Sequence, residues 1–148
     1  KQTGASGESQ QKSRVAAIRR AARYGDGWFP YLTDPDTYRE SVKQVKLFAK
    51  QYGRENVPFT WAHNLFWAVG NTYEEGLAAA AAGNPFGGHK EDFSAKYDIV
   101  GAPADCIKQV RNYIDAGVRH FVCKPWLPAD NLVEQMNRIA GEIIPYFR

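Results

Sequence analysis

The chain has 148 residues, 44% hydrophobic and 24% charged, which suits one globular domain with a core of its own. Its 19 Lys and Arg are scattered among 16 Asp and Glu, and the net charge of +3 is too diluted for a nucleic-acid footprint. Two distant cysteines and three scattered histidines (His63, His89, His120) argue against a disulfide framework and a metal centre. Without an apolar run of membrane length or a signal-peptide pattern, a cytoplasmic protein is expected.

The first residues, "KQTGASGESQQKS", lack a starting methionine and read as a polar turn or flexible segment over 1–12, inside a chain cut from something longer. Residues 13–24 read as an alanine-rich helix with Val15, Ile18 and Ala22 on one stripe, stopped by a left-handed Gly25. "DGWF" is a short apolar strand closed by Pro30. Asp34-Pro35 then caps and starts an amphipathic helix that runs to Gly53. "FTWAHNLFWAVG" is almost continuously apolar, as a strand buried on both faces should be. Thr72 and Glu75 have capping-box spacing before a second alanine-rich helix. "GNPFGGHKEDFS" reads as an irregular loop, and "APADCIKQVRNYIDAGV" as a helix stopped by Gly117. "HFVC" is a strand ended by Lys124-Pro125, and "ADNLVEQMNRIAGEIIPYF" a closing helix. Short apolar strands alternating with amphipathic helices predict an α/β fold of parallel βα units, whose ligands meet the C-terminal strand ends.

Three stretches together, "AAIRRAARYGDGWFP", "IVGAPADCIKQVRNYIDAGVRHFV" and the terminal "IIPYFR", resemble the C-terminal part of the bacterial luciferase-like family. The resemblance implies flavin- or deazaflavin-dependent oxidoreductases on a (β/α)8 TIM barrel. In that frame "DGWF", "TWAHNLFWAV" and "HFVC" are strands 6, 7 and 8, and residues 1–148 form an incomplete portion of the barrel. The rest is then expected from an upstream half or a partner chain in a homo-oligomer. The implied cofactor is FMN, with 8-hydroxy-5-deazaflavin coenzyme as the alternative. The implied reaction is oxidation of a small organic substrate by a monooxygenase using reduced FMN and oxygen. Deazaflavin-dependent hydride transfer, or a non-catalytic barrel piece that pairs with another chain, are the competing readings. Neither nucleic acid nor membrane is an expected partner.

The Gly4-Ala5-Ser6 turn, feeding a helix start at Ser13 and Arg14, offers backbone N–H groups and hydroxyls to an anion. The resemblance makes it the seat of the cofactor's phosphate; on composition alone it is a polar tail. Trp28 and Phe29 straddle a strand, so one of them faces the barrel interior unless both serve the core. His63 shares a strand face with Trp61, Leu65 and Trp67, open to a pocket role or to the commoner role of a satisfied core histidine. Lys124 and Trp126 follow the last strand on the active face of such barrels, where a lysine meets a phosphate or an acidic substrate, or is simply solvated. His120 lies at the opposite strand end and His89 in a loop, with no chemistry assigned to either. Two departures from the family pattern stand out: a lengthened junction at "SGESQQKSR", and Ala102 where a capping Ser or Thr is usual. No nucleophile with its base, and no close carboxylate pair, is apparent, as befits chemistry carried by a cofactor.

Overall fold

A computed structural model describes residues 5–83, 90–125 and 131–148. The order is α1 (Ala5–Tyr24), β1 (Gly27–Trp28), α2 (Pro35–Gln51), β2 (Thr60–Val69), α3 (Tyr73–Gly83), α4 (Lys90–Tyr97), β3 (Ile99–Gly101), α5 (Pro103–Ala116), β4 (His120–Pro125) and α6 (Leu132–Arg138). A π-helical turn (Ile139–Ile143) and a 3-10 turn (Ile144–Phe147) finish the chain.

All strand pairs are parallel, and β2 is their hub. Gly27 and Trp28 pair with Thr60 and Trp61, and Tyr31 bridges Asn64 further along the same edge. β4 runs beside β2 from Ala62 opposite His120 to Trp67 opposite Pro125. β3 pairs with the last three residues of β2, from Trp67 opposite Ile99 to Val69 opposite Gly101. Asn64 pairs with both Tyr31 and Val122, and Trp67 with both Ile99 and Pro125. β1 and β3 therefore share one edge of β2, and β4 holds the other.

Alternation along β2 separates two faces. Leu65, Trp67 and Val69 join Tyr38, Val110, Tyr113, Ile139 and Ile143 in the main core, which marks the odd-numbered face as the helix side. A smaller cluster of Ile18, Ala22 and Val45 holds α1 on α2. Asn64 and Phe66, with their β4 neighbours Val122 and Lys124, occupy the opposite face, and further along it Ala68 packs with Ala80 of α3. In a closed barrel that face is the interior.

Most expected boundaries hold, with specific departures. α1 begins at Ala5 rather than Ser13, so from Ala5 on a helix replaces the expected turn or flexible segment. Glu8, Gln10, Gln11 and Lys12 are good helix formers, and their polarity disguises that. Gly25 does not adopt the expected left-handed conformation; a Cβ there would come within 2.9 Å of the Ala21 carbonyl oxygen. It is needed for close approach. Gly117 does stop α5 with φ +111°. α4 begins inside the expected loop and runs three residues past its end, and β3 goes unread because three residues carry no readable alternation. The closing helix leaves α geometry at Ile139, because Pro145 has no N–H and its ring clashes with the carbonyl four residues back.

The caps are as expected. Asp34 accepts from Thr37 N–H at 3.0 Å with Pro35 behind it. Thr72 Oγ1 accepts from Glu75 N–H at 3.2 Å, while Glu75 Oε2 reaches back to Asn71 N–H at 2.9 Å. Ala102 supplies no side-chain cap, and Asp105 Oδ2 takes its N–H at 3.1 Å instead.

Two glutamine amides extend the sheet. Val69 N–H donates to Gln135 Oε1 at 2.8 Å and Gln135 Nε2 donates back to the Val69 carbonyl at 2.9 Å. Since Gly70 N–H bonds Gly101 on the β3 edge, Val69 addresses the other edge, where β4 stops at Pro125. Gln109 treats Val100 of β3 in the same way, at 3.1 and 2.7 Å.

Candidate functional site

A polar cleft of about 280 Å³ lies beyond the C-terminal end of β1, bordered by α1, the start of α2 and α4. Gln11, Arg14, Thr33, Asp34, Thr37 and Lys96 contribute its polar side chains. Its shape follows from local chemistry. Pro30 ends the strand, Leu32 adopts φ +51°, and Thr33 Oγ1 closes the turn by donating to the Tyr31 carbonyl at 3.1 Å. Asp34 then starts α2, so the electropositive end of that helix meets the cleft.

Asp34 is already committed. It accepts from Thr37 N–H and, at 2.9 Å, from Thr37 Oγ1, with Lys96 Nζ 4.0 Å away. Burial raises its pKa, but the two Thr37 hydrogen bonds and the Lys96 charge outweigh that and hold it below the ordinary carboxylate value. Arg14 is less satisfied: among the described residues its Nε is buried without a partner, and one long contact, Nη2 to Gln11 Oε1 at 3.5 Å, is made. An unpaired guanidinium N–H beside an ammonium is a donor set for an anion.

The second part of the site is the even-numbered sheet face. Lys124 Nζ stands 5.0 Å from the Phe66 ring centroid, and Asn64 Oδ1 is buried with no hydrogen-bond partner. Phe29, at 56% exposure, and Val122 are apolar side chains left open to solvent.

The remaining expected site residues fall as follows. Gly4 and Trp126 lie outside the described residues. Ala5 and Ser6 sit in the first turn of α1, and Ser13 is an exposed residue well inside that helix, so it does not start one. Arg14 lines the cleft. Trp28 packs with the helix-side clusters, the core role rather than the pocket role of the two open to it. His63 takes the core role as well. It is fully buried between Tyr38 and Tyr113, at ring distances of 5.4 and 5.1 Å. Its Nε2 lies 2.8 Å from the Thr33 carbonyl oxygen and its Nδ1 2.9 Å from that of Asn64. Burial lowers its pKa, partly opposed by those two carbonyls. Through Thr33, which also accepts from Tyr113 Oη at 3.1 Å, it braces the cleft floor from behind. Sequence reasoning missed Lys96, which falls between the expected loop and the next helix, and Asn64, whose interruption of an apolar strand is the available signal.

Among the described residues no group of three His, Cys, Asp or Glu is placed to hold a metal, and no helix is long and apolar enough to cross a membrane. The family model for luciferase-like monooxygenases matches residues 13–98, more than half of the chain. The chain belongs to that family. No curated protein matches it. Among solved structures it is similar to the coenzyme F420 dependent tetrahydromethanopterin reductase from Methanopyrus kandleri, at 15% identity and TM-score 0.67, covering 90% of this chain and 49% of that one. An F420-dependent secondary alcohol dehydrogenase in complex with an F420-acetone adduct matches at 18% identity and TM-score 0.72, over 90% and 46% of the two chains. A long-chain alkane monooxygenase matches at 15% identity and TM-score 0.62, over 88% and 38%. This luciferase-family chain thus spans half or less of those structures, and its parallel sheet with flanking helices is part of a luciferase-like TIM barrel.

Proposed function

We propose that this chain carries strands 6 to 8 of an oxidoreductase whose redox chemistry comes from a flavin-type cofactor, held by its phosphate in the cleft between α1, α2 and α4. The observation that carries the reading is Arg14, whose buried Nε has no partner and which lies in one cleft with Lys96 at the C-terminal end of the strands. Phosphate oxygens would satisfy both cations; Asp34, hydrogen-bonded to Thr37 and 4.0 Å from Lys96, is the negative charge they would have to displace from that lysine. FMN and deazaflavin coenzymes both carry such a phosphate, so the residues present fit either. Reduced FMN would supply oxygen activation, as the monooxygenase name of the family suggests. A deazaflavin would supply hydride transfer, and the two F420-dependent structures favour that second reading. In both, Phe66, Phe29 and Val122 would form apolar wall against the ring and exclude water, while Lys124 and the unpartnered Asn64 Oδ1 offer one donor and one acceptor to a substrate. The remaining strands would come from upstream sequence or from a partner copy.

The test is carried out on the intact protein that contains this chain. Denaturing chromatography with mass detection identifies the released cofactor. Arg14→Gln should then weaken the phosphorylated cofactor by about tenfold while leaving the dephosphorylated one unchanged, the loss of one charge-assisted contact. An unaltered ratio between the two would remove Arg14 from the site.

A further inference from the structure

A second cleft, of about 370 Å³, opens at the other end of the sheet, where β2 begins, bounded by α1, α2 and the segment leading into β2. It is formed wholly by elements present here, and its lining has a definite chemistry. Phe59 and Trp61 make an aromatic wall, with ring centroids 4.8 Å apart and planes tilted by 52°. Lys46 and Lys50, four residues apart on α2, share one helix face above it. Lys46 Nζ stands 5.9 Å from the Trp61 centroid, so the ring presents its face to a cation. Neither lysine has an ion-pair partner among the described residues. Arg54 is held rigidly, donating to the carbonyls of Arg23 at 2.7 Å and Gly25 at 2.9 Å, with Asp26 at 3.4 Å on an exposed carboxylate. Glu55 is the single carboxylate in the lining.

We infer that this cleft binds a small aromatic anion of the nucleoside phosphate class. The volume is that of a small-molecule site, apolar in its depth with a few convergent polar groups. A planar base fits against Trp61 and Phe59, and the phosphate against Lys46, Lys50 and the fixed guanidinium of Arg54. Inorganic phosphate leaves the aromatic wall unused, and an uncharged nucleoside leaves the cations unpaired, so both parts of the ligand are needed. This site lies at the opposite strand ends from the proposed cofactor cleft, and its occupant would act on stability or regulation rather than on the reacting atoms.

The intact protein is titrated with AMP by calorimetry, in parallel with adenosine and with inorganic phosphate. AMP is expected to bind, with affinity falling as salt rises, and adenosine and phosphate each about tenfold or more weaker. Lys46→Ala combined with Lys50→Ala, both exposed positions that leave the fold intact by circular dichroism, should weaken AMP by about tenfold or more and flatten its salt dependence. Arg14→Gln, in the other cleft, should leave AMP affinity unchanged. Absence of AMP binding, equal affinity in the double-lysine variant, adenosine binding as tightly as AMP, or loss of AMP in Arg14→Gln would each overturn the inference. The last result would also place AMP in the cofactor cleft, which separates the failure of this inference from that of the functional reading.

Discussion

Gln135 offers the sharpest test of how the sheet is completed. Its amide occupies the slot that β4 vacates at Pro125 and exchanges two hydrogen bonds with Val69, a residue 4% exposed. In Gln135→Ala the Val69 N–H loses its only acceptor and has no route to water, a penalty of about 1–3 kcal/mol, while the lost second bond adds about 1 kcal/mol. The Val69 carbonyl keeps Arg138 Nη1 at 3.1 Å, so it is not orphaned. The sum, about 3 kcal/mol, is read from denaturant unfolding of the intact protein through the midpoint at unchanged slope. Gln135→Glu sharpens the reasoning. Its ionised carboxylate accepts from the Val69 N–H but faces the carbonyl without a proton to donate. The Arg138 guanidinium on the same carbonyl offsets part of that repulsion, so the variant should be less stable than the parent at pH 7 by less than Gln135→Ala is. A Gln135→Ala protein within about 0.5 kcal/mol of the parent, or a Gln135→Glu protein less stable than Gln135→Ala, would refute the role assigned to this amide.

Two further perturbations address the cleft and the core beside it. Asp34→Ala should cost about 1 kcal/mol through the lost cap, whereas Asp34→Asn keeps the cap and should bind the phosphorylated cofactor more tightly with little change in stability. Because the Asp34 pKa is lowered on folding, its contribution to stability is present above the unfolded value and lost as pH falls through the folded one, which an acid titration of unfolding will show. Asp98 is the reverse case. Burial pushes its pKa up to about 6, which the nearby Ser94 hydroxyl only partly offsets. The Asp98 contribution to stability is therefore most favourable below 3.8 and declines toward pH 6, by up to about 3 kcal/mol. Asp98→Asn should be more stable than the parent at pH 8 and no more stable at pH 4; equal stability at both would dismiss the buried charge.

What the sequence made legible was whatever is encoded locally. α2 announces itself through Asp34-Pro35, α5 ends at Gly117 as glycine in a left-handed conformation requires, and β2 is apolar enough to read as a central strand. β3 and α4 were hidden for a physical reason. A three-residue strand has no periodicity of its own and exists because β2 and the Gln109 amide receive its backbone. The helical start of α1 was hidden differently, since its residues have helix propensity without an apolar stripe.

The site itself divides along the same line. Arg14 was reachable, because the family resemblance put a phosphate near it, but the sequence attached it to a glycine turn. The structure attaches it to Lys96, which lies 82 positions further along the chain. His63 shows the converse. Strand alternation correctly grouped it with Leu65 and Trp67, yet alternation gives the grouping and never says which face looks outward. The answer lies in Tyr38 and Tyr113, two residues from different helices that close over the ring. Once that face is known to be the helix side, the parity of β2 makes Asn64 and Phe66 the interior residues, and β4 adds Lys124 beside them. One tyrosine pair thus decides which half of the strand can meet a substrate.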